Sequence, residues 1–166
     1  MYEVGNGTGM ILATSRTLPL RPSEATAAVR ACVDSFLEAS SGSPGELRLN
    51  LPAGARARLR PVPLHGASAR DRSLLAGTIR SRHGWVSVPV EIETTPLSET
   101  RSELVVRPVG PACLRSTAHR RLFDRCSHTL ADFLRMEIEL AGLAVTTPRA
   151  VVRTSPHPAG AVSVPA

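Results

Sequence analysis

The fold is decided by the stretch LLAGTIRSRHGWVSVPVEIE, residues 74–93. Apolar and polar residues alternate on both sides of His83-Gly84, as in two β-strands joined by a two-residue hairpin loop. Such a loop makes the apolar face of one strand meet that of the other at every step, which a random register would not do. The pairs that it predicts are Arg82 with Trp85, Ile79 with Val88, Gly77 with Val90, and Leu75 with Ile92.

The same period-two alternation extends beyond this hairpin in both directions. Upstream, residues 47–51 and 55–60 predict two half-buried strands on either side of Pro52-Ala53-Gly54. Downstream, residues 101–109 predict another strand, and residues 9–20 predict an opening strand near the N-terminus. The sequence therefore indicates an antiparallel sheet of about six strands.

Two amphipathic helices are predicted around these strands, at residues 24–39 and 116–142. The predicted fold class is α+β, a curved antiparallel sheet packed on a long C-terminal helix. We predict a flexible N-terminus over residues 1–8, a single domain over residues 9–142 and a disordered tail over residues 143–166. The apolar stripe of the closing helix consists of Leu122, Phe123, Cys126, Leu130, Phe133, Leu134, Ile138 and Ala141.

Composition narrows the class of protein further. The 166 residues suffice for one domain with its own core. The formal net charge is +6, and every cationic chain is arginine, which is typical of GC-rich coding; nucleic acid is therefore not an expected partner. Three widely spaced cysteines indicate free thiols in a reducing compartment. With neither a signal peptide nor an apolar run of about 20 residues, we expect a cytoplasmic protein.

The order of these elements resembles the helix-grip fold of the START-like superfamily. That group includes polyketide cyclases and dehydrases, lipid-transfer domains and plant binders of hydrophobic ligands. The resemblance is carried by the opening strand at 10–15, the early helix at 29–37, the hairpin-linked strands over 47–109 and the closing helix at 122–138. It implies a pocket for a hydrophobic or amphipathic small molecule between the sheet and the closing helix.

The hairpin and the closing helix supply the apolar faces that would line such a pocket, although the same pattern also describes a filled core. Trp85, the only tryptophan, begins a strand beside the hairpin tip. There it either stacks on Arg82 or contacts a ligand at the pocket mouth. The predicted ligand-binding side chains are Val86, Val88, Val90, Trp85, Phe123, Cys126, Leu130 and Phe133.

An enzymatic alternative is a cyclase or dehydratase that acts on a polyketide-like substrate. It needs an acid or base that points inward, and the candidates are His65 and His119. Cys113, His119, Cys126 and His128 lie close together in sequence, but their spacing does not suit zinc. We therefore expect neither a metal nor another cofactor.

A third interpretation uses a basic strip on the polar face of the sheet. Its members are Arg56, Arg58, Arg60, Arg80 and Arg82. The strip could bind a phosphate or an acidic head group, or it could be the surface at which an interaction protein meets an acidic partner or RNA. The favoured interpretation is that Arg80 and Arg82 neutralise Glu91 and Glu93 on their own sheet face, since cross-strand charge pairs are common. Homodimer formation is left open.

Overall fold

The computed structural model describes residues 13–39, 46–110 and 116–146. The helices and strands, in chain order, are β1 (Thr14–Leu18), α1 (Pro22–Ala39), β2 (Leu47–Asn50), β3 (Arg56–Val62), α2 (Ser68–Asp71), β4 (Ser73–Arg80), β5 (Ser87–Pro96), β6 (Ser102–Pro108) and α3 (Thr117–Thr146). A short 3-10 turn, Pro52–Gly54, joins β2 to β3.

The six strands form one antiparallel sheet in the order β1-β6-β5-β4-β3-β2. The sheet curls into a half-barrel, and the long α3 packs against it. Side chains alternate in direction along each strand, so one face of the sheet is apolar. Helices α1 and α3 cover that face, and they meet where the ring centroids of Phe36 and Phe133 lie 6.0 Å apart. The predicted α+β helix-grip architecture is confirmed. The largest fully buried side chains include Ile79, Val88, Val90, Ile92, Leu104, Phe123, Leu130, Leu134 and Ile138.

The register of the central hairpin is confirmed: Ile79 pairs with Val88, as predicted. The predicted loop length of two residues is wrong, because β4 ends at Arg80 and β5 begins only at Ser87. A type I′ loop needs positive φ at both central residues, and here Gly84 has φ +73° while His83 does not. The loop opens symmetrically instead, which leaves the register unchanged. Arg82 and Trp85, predicted to pair across the ladder, both lie in this wider loop.

The helix boundaries differ slightly from the predicted ones. Helix α1 begins at Pro22, and the carboxylate of Glu24 accepts a hydrogen bond of 3.1 Å from the backbone N–H of Arg21, as in half of a capping box. Helix α3 continues to Thr146, past the predicted end at residue 142. The predicted flexible N-terminus and most of the predicted tail lie outside the described residues. No helix in the described ranges is long and apolar enough to cross a membrane.

Polar contacts attach α3 to the edge strand β1. The Thr14 hydroxyl donates a buried hydrogen bond of 2.9 Å to the Ser127 hydroxyl. Nearer the surface, Arg16 Nε lies 2.7 Å from Asp132 Oδ1, and this hydrogen bond holds the pKa of the Asp132 carboxyl below its ordinary value. These contacts align the helix along the strand while the apolar stripe beneath supplies the burial.

Cys32, on the buried side of α1, should make the protein less stable in alkali. Burial, followed by the charge of Glu137, raises the pKa of this thiol to about 11 from 9.0. The neutral Cys32 thiol therefore contributes fully to the free energy of unfolding below about pH 9, and this contribution is lost as the pH rises through 11. The full loss corresponds to two pKa units, or about 3 kcal/mol. Urea unfolding at about pH 8 and about pH 11 measures this loss.

Cys32→Ala is the matched control for this experiment. The sequence contains no lysine and a single tyrosine, so few other groups titrate in the same range. The variant should lose most of the alkaline destabilisation, although burial also raises the pKa of Cys126 and leaves a remainder. Equal alkaline losses in both proteins would contradict the assignment to Cys32.

Candidate functional site

A cleft of about 430 Å³ lies between α1 and the end of the sheet formed by β3 and β4. The connection between those strands, which contains α2, forms its outer wall. The lining residues are Thr26, Val29, Arg30, Val33 and Asp34 of α1, Pro61, Val62, Pro63 and Leu64 at the end of β3, and Ala69, Arg72, Ser73, Leu74 and Leu75 of α2 and β4.

The cleft exists because β2 is short. Its four residues pair only with residues 56–59 of β3, so the end of β3 continues without a neighbour on that side. Pro61 and Pro63 lack the N–H that a further strand would need, and proline is tolerated at such an edge. The chain then leaves the sheet through Leu64 and returns through α2. Because β2 does not extend along the end of β3, a cleft remains there beside α1.

The cleft has an apolar floor and a polar rim. Val29, Val33 and Leu75 are buried and form the floor. Arg30 and Asp34 are exposed at the mouth, one helical turn apart on α1. Such a surface can take up an apolar group and leave a polar end among charged side chains.

The predicted ligand-binding side chains lie elsewhere, and none of them lines this cleft. Most are fully enclosed in the core between hairpin and helix, while Val86 and Phe133 are half-buried against it. Trp85 is 90% exposed at the hairpin tip. Their contact with a ligand stays a prediction. The buried members are Val88, Val90, Phe123, Cys126 and Leu130.

The two candidate catalytic histidines are not brought together. His65 is exposed in the loop next to Leu64 of the cleft, whereas His119 is half-buried in the first turn of α3. The Nδ1 atom of His119 is buried and has no hydrogen-bond partner among the described residues. The cleft lining contains neither residue, and its acidic side chain is Asp34.

Within the described ranges, no three histidine, cysteine or acidic side chains are grouped closely enough to hold a metal ion. Cys113, one of the ligands considered for zinc, lies outside those ranges. Cys32 and Cys126 are buried free thiols.

The ion pairs predicted for Arg80 and Arg82 are wrong. Glu91 lies 3.6 Å from Arg107 of β6, and Glu93 lies 3.4 Å from the side chain that precedes β4, Arg72, besides contacting Arg107. The register explains the difference. Arg80 pairs with Ser87, whereas Glu91 and Glu93 lie further along β5 and pair with earlier residues of β4. Among the described residues Arg80 and Arg82 therefore keep their charges unpaired.

The predicted basic strip is divided in two by a buried acid that sequence analysis missed. Glu46, only 7% exposed, lies 3.2 Å from Arg48 and 3.9 Å from both Arg58 and Arg60. Arg58 and Arg60 both contact this acid, but Arg60 does not line the cavity that the other members share. The remaining four, together with the hairpin loop, line a second cavity of about 280 Å³, whose lining residues are Arg56, Arg58, Arg80, Ser81, Arg82, His83 and Gly84.

No family model matches the chain, and no curated protein matches it. Among solved structures, DynU16, a protein in the dynemicin biosynthetic locus, is 16% identical with a TM-score of 0.41 over 81% of this chain and 46% of that one. The chain thus spans slightly under half of DynU16.

Two further solved structures match over most of both chains. A START superfamily protein from Mycobacterium smegmatis is 9% identical with a TM-score of 0.44, covering 82% of this chain and 99% of that one. A protein from Arthrobacter aurescens is 12% identical with a TM-score of 0.42, covering 87% and 92%. Because these scores are low, the fold is assigned from the topology: strand, helix, consecutive antiparallel strands and closing helix.

The fold is a helix-grip fold. In this helix-grip domain the first strand pairs with the last one, and the closing helix packs on both. The cleft beside α1 and the arginine cavity lie at opposite ends of the β3–β4 pair.

Proposed function

We propose that this domain binds a hydrophobic or amphipathic small molecule in the cleft between α1 and the β3–β4 end of the sheet. The cleft volume of about 430 Å³ carries the proposal. It falls within the roughly 300–1,000 Å³ of small-molecule sites. The site differs from the one expected between the hairpin and α3, where the side chains are packed into the core.

The geometry favours a ligand with an apolar body and a polar end. The body would cover Val29, Val33 and Leu75, whose side chains already face away from water. The polar end would lie at the mouth beside Arg30 and Asp34, which offer a donor and an acceptor to solvent-facing groups. Such a ligand gains burial from its body without leaving a polar group unsatisfied.

Filling the cleft should abolish binding of an amphipathic probe. Ala69 is half-buried in the outer wall, so Ala69→Trp projects an indole into the space that the ligand would occupy. We expect anilinonaphthalene sulfonate, measured by calorimetric titration, to bind the wild type and to bind the variant at least about 10-fold more weakly, a loss of about 1.4 kcal/mol. Leu64→Trp, from the loop side, should have the same effect.

Ala67→Trp is the matched control, because Ala67 is exposed just before α2 and does not line the cleft. Its affinity for the probe should equal that of the wild type. Thermal melting of all four proteins verifies that each is folded. Equal probe affinities in the cleft variants and the control, or no binding to the wild type, would remove the cleft as the site.

A further inference from the structure

The second cavity, at the loop end of the β4–β5 hairpin, concentrates positive charge. Arg56 and Arg80 are directly opposite each other on β3 and β4, and Arg58 is the next outward residue along β3. Arg82 reaches the same cavity from the hairpin loop. Like charges directly opposite each other destabilise a sheet. The facing pair of Arg56 and Arg80 therefore destabilises the folded protein, and a bound anion would relieve this repulsion.

These guanidinium groups are available to a ligand. In the described part of the chain Arg56, Arg80 and Arg82 have no ion-pair partner, and Arg58 has only a long contact of 3.9 Å with Glu46. Each guanidinium can present two parallel N–H donors to one phosphate group.

The loop itself holds the cavity in shape. Ser81 pairs with Val86 through a backbone hydrogen bond of 2.9 Å, and the Ser81 hydroxyl accepts a second one of 3.1 Å from the Val86 N–H. That hydroxyl keeps its own hydrogen free to donate. Gly54 in the neighbouring turn has no side chain where the aliphatic part of Arg82 passes, since a Cβ there would lie 3.0 Å from Arg82 Cδ.

We infer that this cavity binds the diphosphate group of a small molecule. The four arginines carry more positive charge than one phosphate group would neutralise. A volume of about 280 Å³ accommodates a short polyanion but not an extended nucleic-acid strand. The site is separate from the cleft, because six residue steps along β3, about 20 Å, lie between Arg56 and Val62. The inference does not rest on the proposed function, and Ala69→Trp should bind diphosphate as the wild type does.

Inorganic pyrophosphate is the probe, titrated calorimetrically and by the shift in melting temperature. The wild type should bind it and melt at a higher temperature in its presence. The double variant Arg56→Ala/Arg80→Ala should bind at least about 10-fold more weakly, because two charge-assisted contacts are lost. Without the anion it should melt no lower than the wild type, since a like-charge pair is relieved.

The control Arg101→Ala/Arg121→Ala removes the same charge from exposed positions outside the cavity. Its pyrophosphate affinity should change less than about 2-fold, which separates a built site from the general field of a basic protein. Geranyl diphosphate and adenosine diphosphate, titrated in parallel, distinguish a lipid source of the diphosphate from a nucleotide source. Equal losses in both double variants, or binding of an RNA oligomer without binding of pyrophosphate, would overturn the inference.

Discussion

Replacing Gly77 with alanine should destabilise the protein by about 4 kcal/mol or more, enough to unfold much of the population. Gly77 lies in the middle of β4, where it faces Leu59 on one side and Val90 on the other. A Cβ at this position would overlap the carbonyl oxygen of Arg58. That oxygen belongs to the backbone of β3 and cannot move aside without breaking the ladder.

Urea unfolding, or the yield of folded protein, measures this effect. Gly66→Ala is the control, because a Cβ at Gly66 meets nothing within 4 Å, and its positive φ of +75° is the one source of strain there. It should cost only about 1 kcal/mol from backbone strain. A Gly77→Ala protein as stable as Gly66→Ala would show that the two strands do not approach as closely as described.

Phe123→Ala should have the second largest effect, about 3–5 kcal/mol. The ring is 1% exposed within the core between α3 and the sheet, so its removal leaves a cavity that the curled sheet cannot close. Phe133→Ala should cost less, because that side chain is only partly buried. Urea unfolding of both variants tests the order.

The same substitution decides between a core and a pocket at this position. If the ring of Phe123 lined an open cavity, little packing would be lost, and its truncation should cost less than about 2 kcal/mol. That smaller value, together with unchanged or stronger binding of anilinonaphthalene sulfonate, would favour the pocket expected from the sequence over the packed core.

The sheet could be predicted because period-two alternation reports directly which side of a strand is buried. A one-residue slip would place Ile79 and Val88 on opposite faces of the sheet, so burial of both excludes it. The loop length could not be predicted in the same way, because it depended on the φ angle that His83 adopts. The register survived this error, since the loop gained two residues on each side, which leaves every remaining pair in place.

The functional site was less predictable, because a cleft is set by where elements stop. Nothing in the alternation of residues 47–51 indicates that β2 ends early enough to expose Pro61 and Val62. The partners of the acids on β5 could not be predicted either, because they come from another strand. Arg107 of β6 lies beside Glu91, and Arg80 has no ion-pair partner among the described residues. The arginine face itself was visible in the alternation, but the division caused by Glu46 was not.

The pairing of β1 with β6 has a consequence for synthesis on the ribosome. Thr14 meets Val106, about 90 positions later, so the opening strand has no ladder partner until nearly the whole sheet has been translated. At about 5–20 residues per second this interval lasts roughly 5–20 s. During that time the growing chain exposes unpaired strand edges, which are targets for chaperones. Helix α3 follows last, so the part of the apolar face that it covers stays exposed until translation passes the end of β6.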